Sequence, residues 1–307
     1  MGRGPTPVAP GPTGDRAGTR EVPFDKRRLS YAATFDDPAR AAVIRSLEWA
    51  TGKITLLRHI RQFESTPVPR GQGFWSKAIA EMGIEITTPR AEIARIPARG
   101  PLVVVANHPH GLVDGMVLAE LVGRVRTDYR ILTRTLLTGV AEVEQFMLPV
   151  PFPHAPGAQG RMIEMRRRAM AHLATGGCVA LFPSGAVASS DTAFGPAIER
   201  DWNPFTAKMI TRSGATVLPV RFPGANSRAY QIANRISPTL RQGLLIHEVV
   251  HACGKPQRPV IGEPVPPETW RRHAGSNRGF MAWLREHTLA LDPAAGGRAI
   301  PPAGRAS

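Results

Sequence analysis

With only two cysteines, Cys178 and Cys253, in 307 residues, the chain has no disulfide framework to stabilise it. The pair fits a reducing compartment. No apolar run approaches the roughly 18–20 residues that a bilayer-spanning helix needs, and the first residues lack the apolar stretch of a signal peptide. Aromatic residues are scarce, at 6%. Zinc-finger spacing and the aromatic signature of an RNA-binding sheet are also missing, so nucleic acid is not an expected partner. Acidic residues are few: 24 Asp and Glu stand against 39 Lys and Arg, a net charge of +15. Such an excess attracts polyanions. With nucleic acid set aside, the expected partner is an anionic membrane surface. The expected location is cytoplasmic, peripheral on the inner face of the cell membrane.

Apolar residues make up 42% of the chain, enough for a sizeable core. Proline and glycine, thirty of each, crowd the two ends. Residues 1–37 and 292–307 lack apolar periodicity and are expected to be disordered tails. Between them, residues 38–82 read as an amphipathic helical extension and 83–291 as the main domain. In "PARAAVIRSLEWATGKITLLRHIRQFE", residues 38–64, Val43, Ile44, Leu47, Ile54, Leu57 and Ile60 recur at helical spacing among Arg45, Lys53, Arg58 and Arg61. A helix of that kind can lie in a membrane interface, or it can pack on the main domain.

From Gly83 onward, short strand-like runs alternate with helical ones. "GIEITT", "PLVVVAN", "YRILT", "CVALFP", "ATVLPVRF" and "RPVIGEP" read as strands. The helical patterns between them include "GMVLAELVGRV", "RMIEMRRRAMAHLATGG", "NPFTAKMITRSG" and "TLRQGLLIHEVVHACG". A final helical pattern follows, broken near Gly275. The alternation predicts an α/β fold: a mixed, largely parallel sheet flanked by helices on both faces, with the N-terminal helical extension. In such sheets reactive groups gather beyond the carboxyl ends of the strands.

The stretch "VVVANHPHGLVDG", residues 103–115, meets that condition. A buried strand delivers Asn107, His108, Pro109, His110 and Gly111 into a loop, and a helix starts at or just after Asp114. The loop is the right length for Asp114 to accept a hydrogen bond from His108 Nδ1, which leaves Nε2 free to take a proton. A histidine oriented in this way is a general base. The alternative is a polar loop in which Asp114 only caps the helix.

"ANHPHGLVDG" resembles the first motif of the glycerolipid acyltransferases, the lysophosphatidic acid acyltransferase-like enzymes, whose usual pattern is Asn-His-x4-Asp. The five residues between His108 and Asp114 are similar to the longer form of a bacterial branch, haemolysin-like proteins and lyso-ornithine lipid acyltransferases. "GGCVALFPSGAVASS" resembles the third family motif, Phe-Pro-x-Gly. "WNPFTAKMITRSGATVLPVRFPGANS" and "RPVIGEPV" resemble the branch's later segments, in the same order. Ser184 stands where many members carry Glu, and the usual second-motif Arg has no counterpart in "EQFMLPVPFPH". The resemblance implies transfer of a fatty acyl group from an acyl carrier protein or coenzyme A thioester to a lysolipid hydroxyl, in phospholipid or ornithine-lipid biosynthesis. It implies catalysis by His108 and Asp114. It implies substrate contacts from Asn107, Gly111, Pro183, Ser184, Gly185, Pro219 and Asn226, with no metal or bound cofactor; Arg134, Arg221 and Arg228 are the candidates to supply positive charge in place of the missing motif residues. A 1-acylglycerol-3-phosphate acyltransferase is the variant within that class.

Two readings come from other classes. "HEVVH", residues 247–251, matches the spacing of a zinc hydrolase, two imidazoles on one helix face beside a carboxylate. A catalytic zinc needs a third protein ligand, and Gln257 occupies the position where the extended motif has one. The other reading is a non-catalytic lipid-binding protein, which would have no need of an oriented base.

Overall fold

In the computed structural model, the described residues are 30–34, 37–133, 140–151, 157–192, 194–294 and 296–299. Six strands form the main sheet: β1 (Leu102–Ala106), β2 (Tyr129–Thr133), β3 (Met147–Pro149), β4 (Cys178–Leu181), β5 (Thr216–Arg221) and β6 (Val260–Ile261). Their order is β3-β2-β4-β1-β5-β6. All neighbours run parallel except β6, which is antiparallel to β5. The sheet is thus mixed and largely parallel, as the alternation of patterns predicts.

The N-terminal helical segment comprises α1 (Pro38–Glu48), a π-helical turn (Trp49–Lys53) and α2 (Ile54–Glu64). Then come α3 (Gln72–Glu81), the single turn α4 (Arg90–Ile93), α5 (Leu112–Gly123), α6 (Ala158–Ala174) and α7 (Pro204–Ser213). The last helices are α8 (Arg228–Ile236), α9 (Pro238–Gly243), α10 (Leu245–Ala252), α11 (Pro267–Trp270) and α12 (Asn277–Leu289).

β1 lies inside the sheet and is buried along its whole length, which explains its unbroken apolar sequence. Leu102, Val104 and Ala106 face the side covered by α3, α5 and α10, together with Ile131, Ala180 and Leu218. Val103 and Val105 face the side covered by α6, α7 and α12, with Val179, Leu181 and Val217. Burying each such side chain contributes about 1.5–3 kcal/mol. The helix boundaries follow local chemistry. Asn203 caps α7 by accepting from Phe205 N–H at 2.9 Å, Pro204 opens the helix, and Gly214 closes it at φ +63°.

Four segments differ from the sequence reading. "GIEITT" forms a single bridge, Ile86 to Gln257, rather than a strand. β3 is a strand that the sequence does not announce, because three residues carry no periodicity. "TLRQGLLIHEVVHACG" divides into α9 and α10. The division falls next to Gly243, where α1 approaches so closely that an added Cβ would stand 2.9 Å from Leu47. The fourth is α8, where Ala229, Ile232, Ala233 and Ile236 recur at helical spacing although the sequence reading places no element there; its Ser227 cap, which accepts from Tyr230 N–H at 3.3 Å, is held by Glu248.

The helix over 38–64 packs on the domain along one side. Ile44 is fully buried with Ala32 and Ala41. Buried Glu48 accepts from Ser30 Oγ at 2.6 Å and Tyr31 N–H at 2.8 Å, and its burial pushes the carboxyl above the usual range. At Gly52 an added Cβ would lie 3.3 Å from the His247 backbone, so a larger residue would crowd the contact with α10. The other side leaves Val43, Trp49 and Ile54 about half exposed, at 45%, 53% and 50%. Of the expected tails, residues 1–29, 35–36, 295 and 300–307 lie outside the described residues. Tyr31–Thr34 form a 3-10 turn, and Leu291–Asp292 pairs with Arg298–Ala299 as a small antiparallel ribbon. Part of each tail is therefore ordered against the domain.

Candidate active site

Three loops meet beyond the carboxyl ends of β1, β4 and β5. Asn107, just after β1, ties the first loop to the third. Its amide donates to Phe222 O at 2.8 Å and accepts from Phe222 N–H at 2.7 Å. The His108 main chain ties the first loop to the second: its carbonyl accepts from Ala188 N–H at 2.8 Å, and its N–H donates to Glu199 Oε2 at 3.1 Å. Glu199 is buried, and its other oxygen accepts from the Trp202 indole at 3.0 Å. The His108 backbone is fixed before its side chain makes any contact.

The imidazole of His108 lies on Phe182, with ring centroids 4.0 Å apart and planes 23° from parallel. Its Nδ1 meets Asp114 Oδ2 at 3.0 Å. An Nδ1–H donated to that carboxylate leaves Nε2 as the proton acceptor, and the side chain keeps 17% of its surface exposed. Asp114 is fully buried in the first turn of α5. Oδ2 also accepts from the His110 and Gly111 N–H groups, at 2.8 and 3.1 Å, while Oδ1 meets His110 Nδ1 at 3.0 Å. Gly111 turns the chain into the helix at φ +80°, a conformation that favours glycine.

These contacts set the charges. Burial opposes ionisation of Asp114, but hydrogen bonds from His108 and His110 outweigh it and hold the carboxyl below its usual range. His110 goes the other way. Burial favours its neutral form, yet the Asp114 hydrogen bond and the charges of Asp114 and Glu248 raise its proton affinity above that of a free imidazole.

The other expected substrate contacts are distributed unevenly. Pro183, Ser184 and Gly185 form the turn after β4. There Gly185 N–H donates to Phe182 O at 3.0 Å and Ser184 Oγ donates to Ala186 O at 3.0 Å. Pro219 is not in a loop: it lies within β5 opposite Val105, and its carbonyl accepts from Gly262 N–H at 2.9 Å. Arg221 reaches away along the sheet edge, donating to Leu291 O at 2.5 Å. Asn226 is buried beside Tyr230. Arg134 lies outside the described residues. Sequence reasoning missed Glu199, which stands 91 positions from His108 and just ahead of the quoted segment that opens at Trp202.

The "HEVVH" residues of α10 do not converge. His247 Nδ1 meets Thr51 O at 3.0 Å, and His251 Nε2 meets Lys255 Nζ at 2.7 Å. Glu248 is buried and accepts from Ser227 Oγ at 2.5 Å and Ser227 N–H at 2.8 Å. Among the described residues, no group of three or more His, Cys, Asp or Glu is placed to hold a metal ion.

A family model described as acyltransferase matches residues 68–295. Among solved structures, the chain is similar to the crystal structure of the 1-acyl-sn-glycerophosphate acyltransferase PlsC from Thermotoga maritima. The two share 15% identity at a TM-score of 0.41, with 84% of this chain and 82% of that chain covered. No curated protein matches.

Proposed function

The chain belongs to the acyltransferase family, and from that premise we propose that it moves a fatty acyl group from an acyl carrier protein or coenzyme A thioester to a lysolipid hydroxyl. The observation that carries the proposal is the His108–Asp114 pair at the carboxyl edge of the sheet, held at 3.0 Å. His108 Nε2 takes the proton of the acceptor hydroxyl, and the oxygen attacks the thioester carbonyl. The tetrahedral intermediate collapses with cleavage of the C–S bond, and His108 returns its proton to the departing thiolate. Asp114 keeps the ring in the required tautomer and stabilises the imidazolium. A base placed in this way contributes about 10²–10⁴-fold to rate. The test is acyl transfer by purified enzyme with and without His108→Ala. A variant with normal turnover would overturn the assignment.

The acceptor in this proposal is a lyso-aminolipid, such as lyso-ornithine lipid, in preference to lysophosphatidate. A phosphate wants bidentate or clustered cationic donors. Ser184 brings no charge to the turn after β4. Arg221 is committed to Leu291 O, and Arg228 to the carbonyls of Phe194 and Gly195, both at 3.0 Å.

The acceptor's chains lie in a bilayer, yet no helix among the described residues is long and apolar enough to cross one. In the proposal, the enzyme docks reversibly on the inner face of the cell membrane. The exposed side of the helix over 38–64 enters the interface with Val43, Trp49 and Ile54, and surrounding arginines face anionic headgroups.

A further inference from the structure

Among the described residues, α8 has a face that the other elements leave exposed. Tyr230, Gln231 and Ala233 turn inward and are buried. Arg228, Ala229, Ile232, Arg235 and Ile236 recur at helical spacing along the other side and are exposed, Ile236 to 70%. Phe194, exposed to 80%, stands at the head of that stripe: Arg228 donates to the carbonyls of Phe194 and Gly195, both at 3.0 Å. The segment before Phe194 is fastened to α8 at two further points, since Ser190 N–H donates to Gln231 Oε1 at 2.7 Å and Asn234 Nδ2 donates to Ser190 O at 3.1 Å. On either side of Phe194 the same stretch of chain holds the candidate base, with Ala188 N–H on His108 O and Glu199 Oε2 on His108 N–H. The stripe, Phe194 and the His108 loop are thereby tied to one another.

The charge around the stripe has one sign. No Asp or Glu occurs between Asp201 and Glu248, a stretch that contains Lys208, Arg212, Arg221, Arg228, Arg235 and Arg241. The acids bordering the stripe are engaged. Asp191 pairs with Arg200 at 2.8 Å, Glu199 is buried against His108 and Trp202, and Glu248 is buried against Ser227. Arg228 keeps its charge, because the carbonyls it meets do not neutralise it. Large exposed apolar side chains flanked by arginines suit the interface of an anionic bilayer, where the apolar groups enter and the cations meet headgroups. We propose that this face of α8, with Phe194, is a membrane-docking surface that seats on anionic headgroups and holds the His108 loop against the bilayer. The proposal deepens, and rests on, the reading of the chain as an acyltransferase that docks on a membrane. α9 packs on both α8 and α1, so this surface and the helix over 38–64 belong to neighbouring elements.

The experiment is sedimentation of the full chain with phosphatidylglycerol-containing and with pure phosphatidylcholine vesicles. It is paired with acyl transfer to two acceptors, a long-chain lysolipid in the vesicles and a short-chain one dissolved as monomers. Phe194→Ser with Ile236→Ser removes apolar groups at exposed positions and should leave the thermal midpoint unchanged. Its binding to the anionic vesicles should fall about fivefold or more, and transfer to the vesicle-borne acceptor should fall with it, while transfer to the dissolved acceptor holds. Arg235→Glu should also weaken binding to anionic vesicles and narrow their advantage over neutral ones. Wild-type binding and vesicle-borne turnover in both variants would overturn the proposal. Equal loss on the two acceptors would overturn it too, by assigning the face to substrate or acyl-donor recognition. So would a wild-type dimer that the double variant splits without loss of vesicle binding, which would assign the face to a second copy of the chain. If the wild-type chain sediments with anionic vesicles and only Trp49→Glu with Ile54→Glu releases it, this proposal fails alone. If the wild-type chain does not sediment with them, the docking reading fails as well.

Discussion

At the scale of single residues, the site is a buried carboxylate with more donors than a capping role requires. Asp114 accepts from two imidazoles and two backbone N–H groups, so its removal should reach both chemistry and stability. His108→Ala should lower kcat at least 10²-fold with little change in thermal midpoint, because the ring is partly exposed and stacks on one neighbour. His247→Ala should retain most activity, since that ring bonds only a carbonyl of the N-terminal helix segment. Comparing the two variants in one assay decides between an acyl-transfer base and a zinc ligand. Asp114→Asn should be as severe as His108→Ala in rate and cost about 3 kcal/mol in stability, through donors left facing an amide nitrogen. Its pH dependence follows from the two shifts. Asp114, held below its ordinary 3.8, contributes stability above that value and loses it as pH falls through the lower native value. His110, held above 6.5, contributes below that value and loses it as pH rises through the higher native one. The difference in melting temperature between wild type and Asp114→Asn should therefore be widest between about pH 4 and 6.5 and narrow on both sides. A difference independent of pH would contradict this account.

At the scale of elements, the helix over 38–64 packs on the domain with its inner side, and in the proposal its outer side docks on the membrane. Its inner side is part of the domain through Ile44, Glu48 and Gly52, so cutting it away would expose the groups it covers. Substitution on the outer side is the cleaner probe of docking. Trp49→Glu with Ile54→Glu should leave the melting temperature within a degree or two and reduce sedimentation with anionic vesicles at least fivefold. Equal binding by wild type and variant would place the docking surface elsewhere. The loop after β5 is an element-scale case too. α8 begins where Glu248 of α10 accepts from Ser227, so Ser227→Ala should cost about 1 kcal/mol, read from chemical denaturation.

At the scale of the whole molecule, a net charge of +15 acts beyond any single contact. Each Lys or Arg near an anionic leaflet is worth about 1 kcal/mol, and the attraction falls off within a Debye length of roughly 8–10 Å at physiological salt. Binding to anionic vesicles should weaken steeply between 50 and 500 mM salt, on the order of tenfold or more, while neutral vesicles recruit the protein poorly at any salt. The acceptor question belongs to this scale as well, because two of the candidate phosphate-binding arginines, Arg221 and Arg228, donate to backbone carbonyls. Assays of lyso-ornithine lipid and lysophosphatidate with one acyl donor should favour the former, and a strong preference for lysophosphatidate would refute the assignment.

The sequence by itself determined what is local or periodic. The apolar run of β1, the Asn-Pro start and Gly end of α7, and the spacing from His108 to Asp114 are all short-range signals, and they place the pair at a strand's carboxyl end. Tertiary structure decided whatever depends on residues far apart in the chain. Glu199 reaches His108 across 91 positions, and Asn107 pairs with Phe222 across 115. The same holds for "HEVVH": its spacing satisfies a zinc motif on any helix, but packing turns His247 toward the N-terminal helix and Glu248 toward Ser227. A helix fixes which side chains share a face, but only the elements packed against it fix what each of them meets.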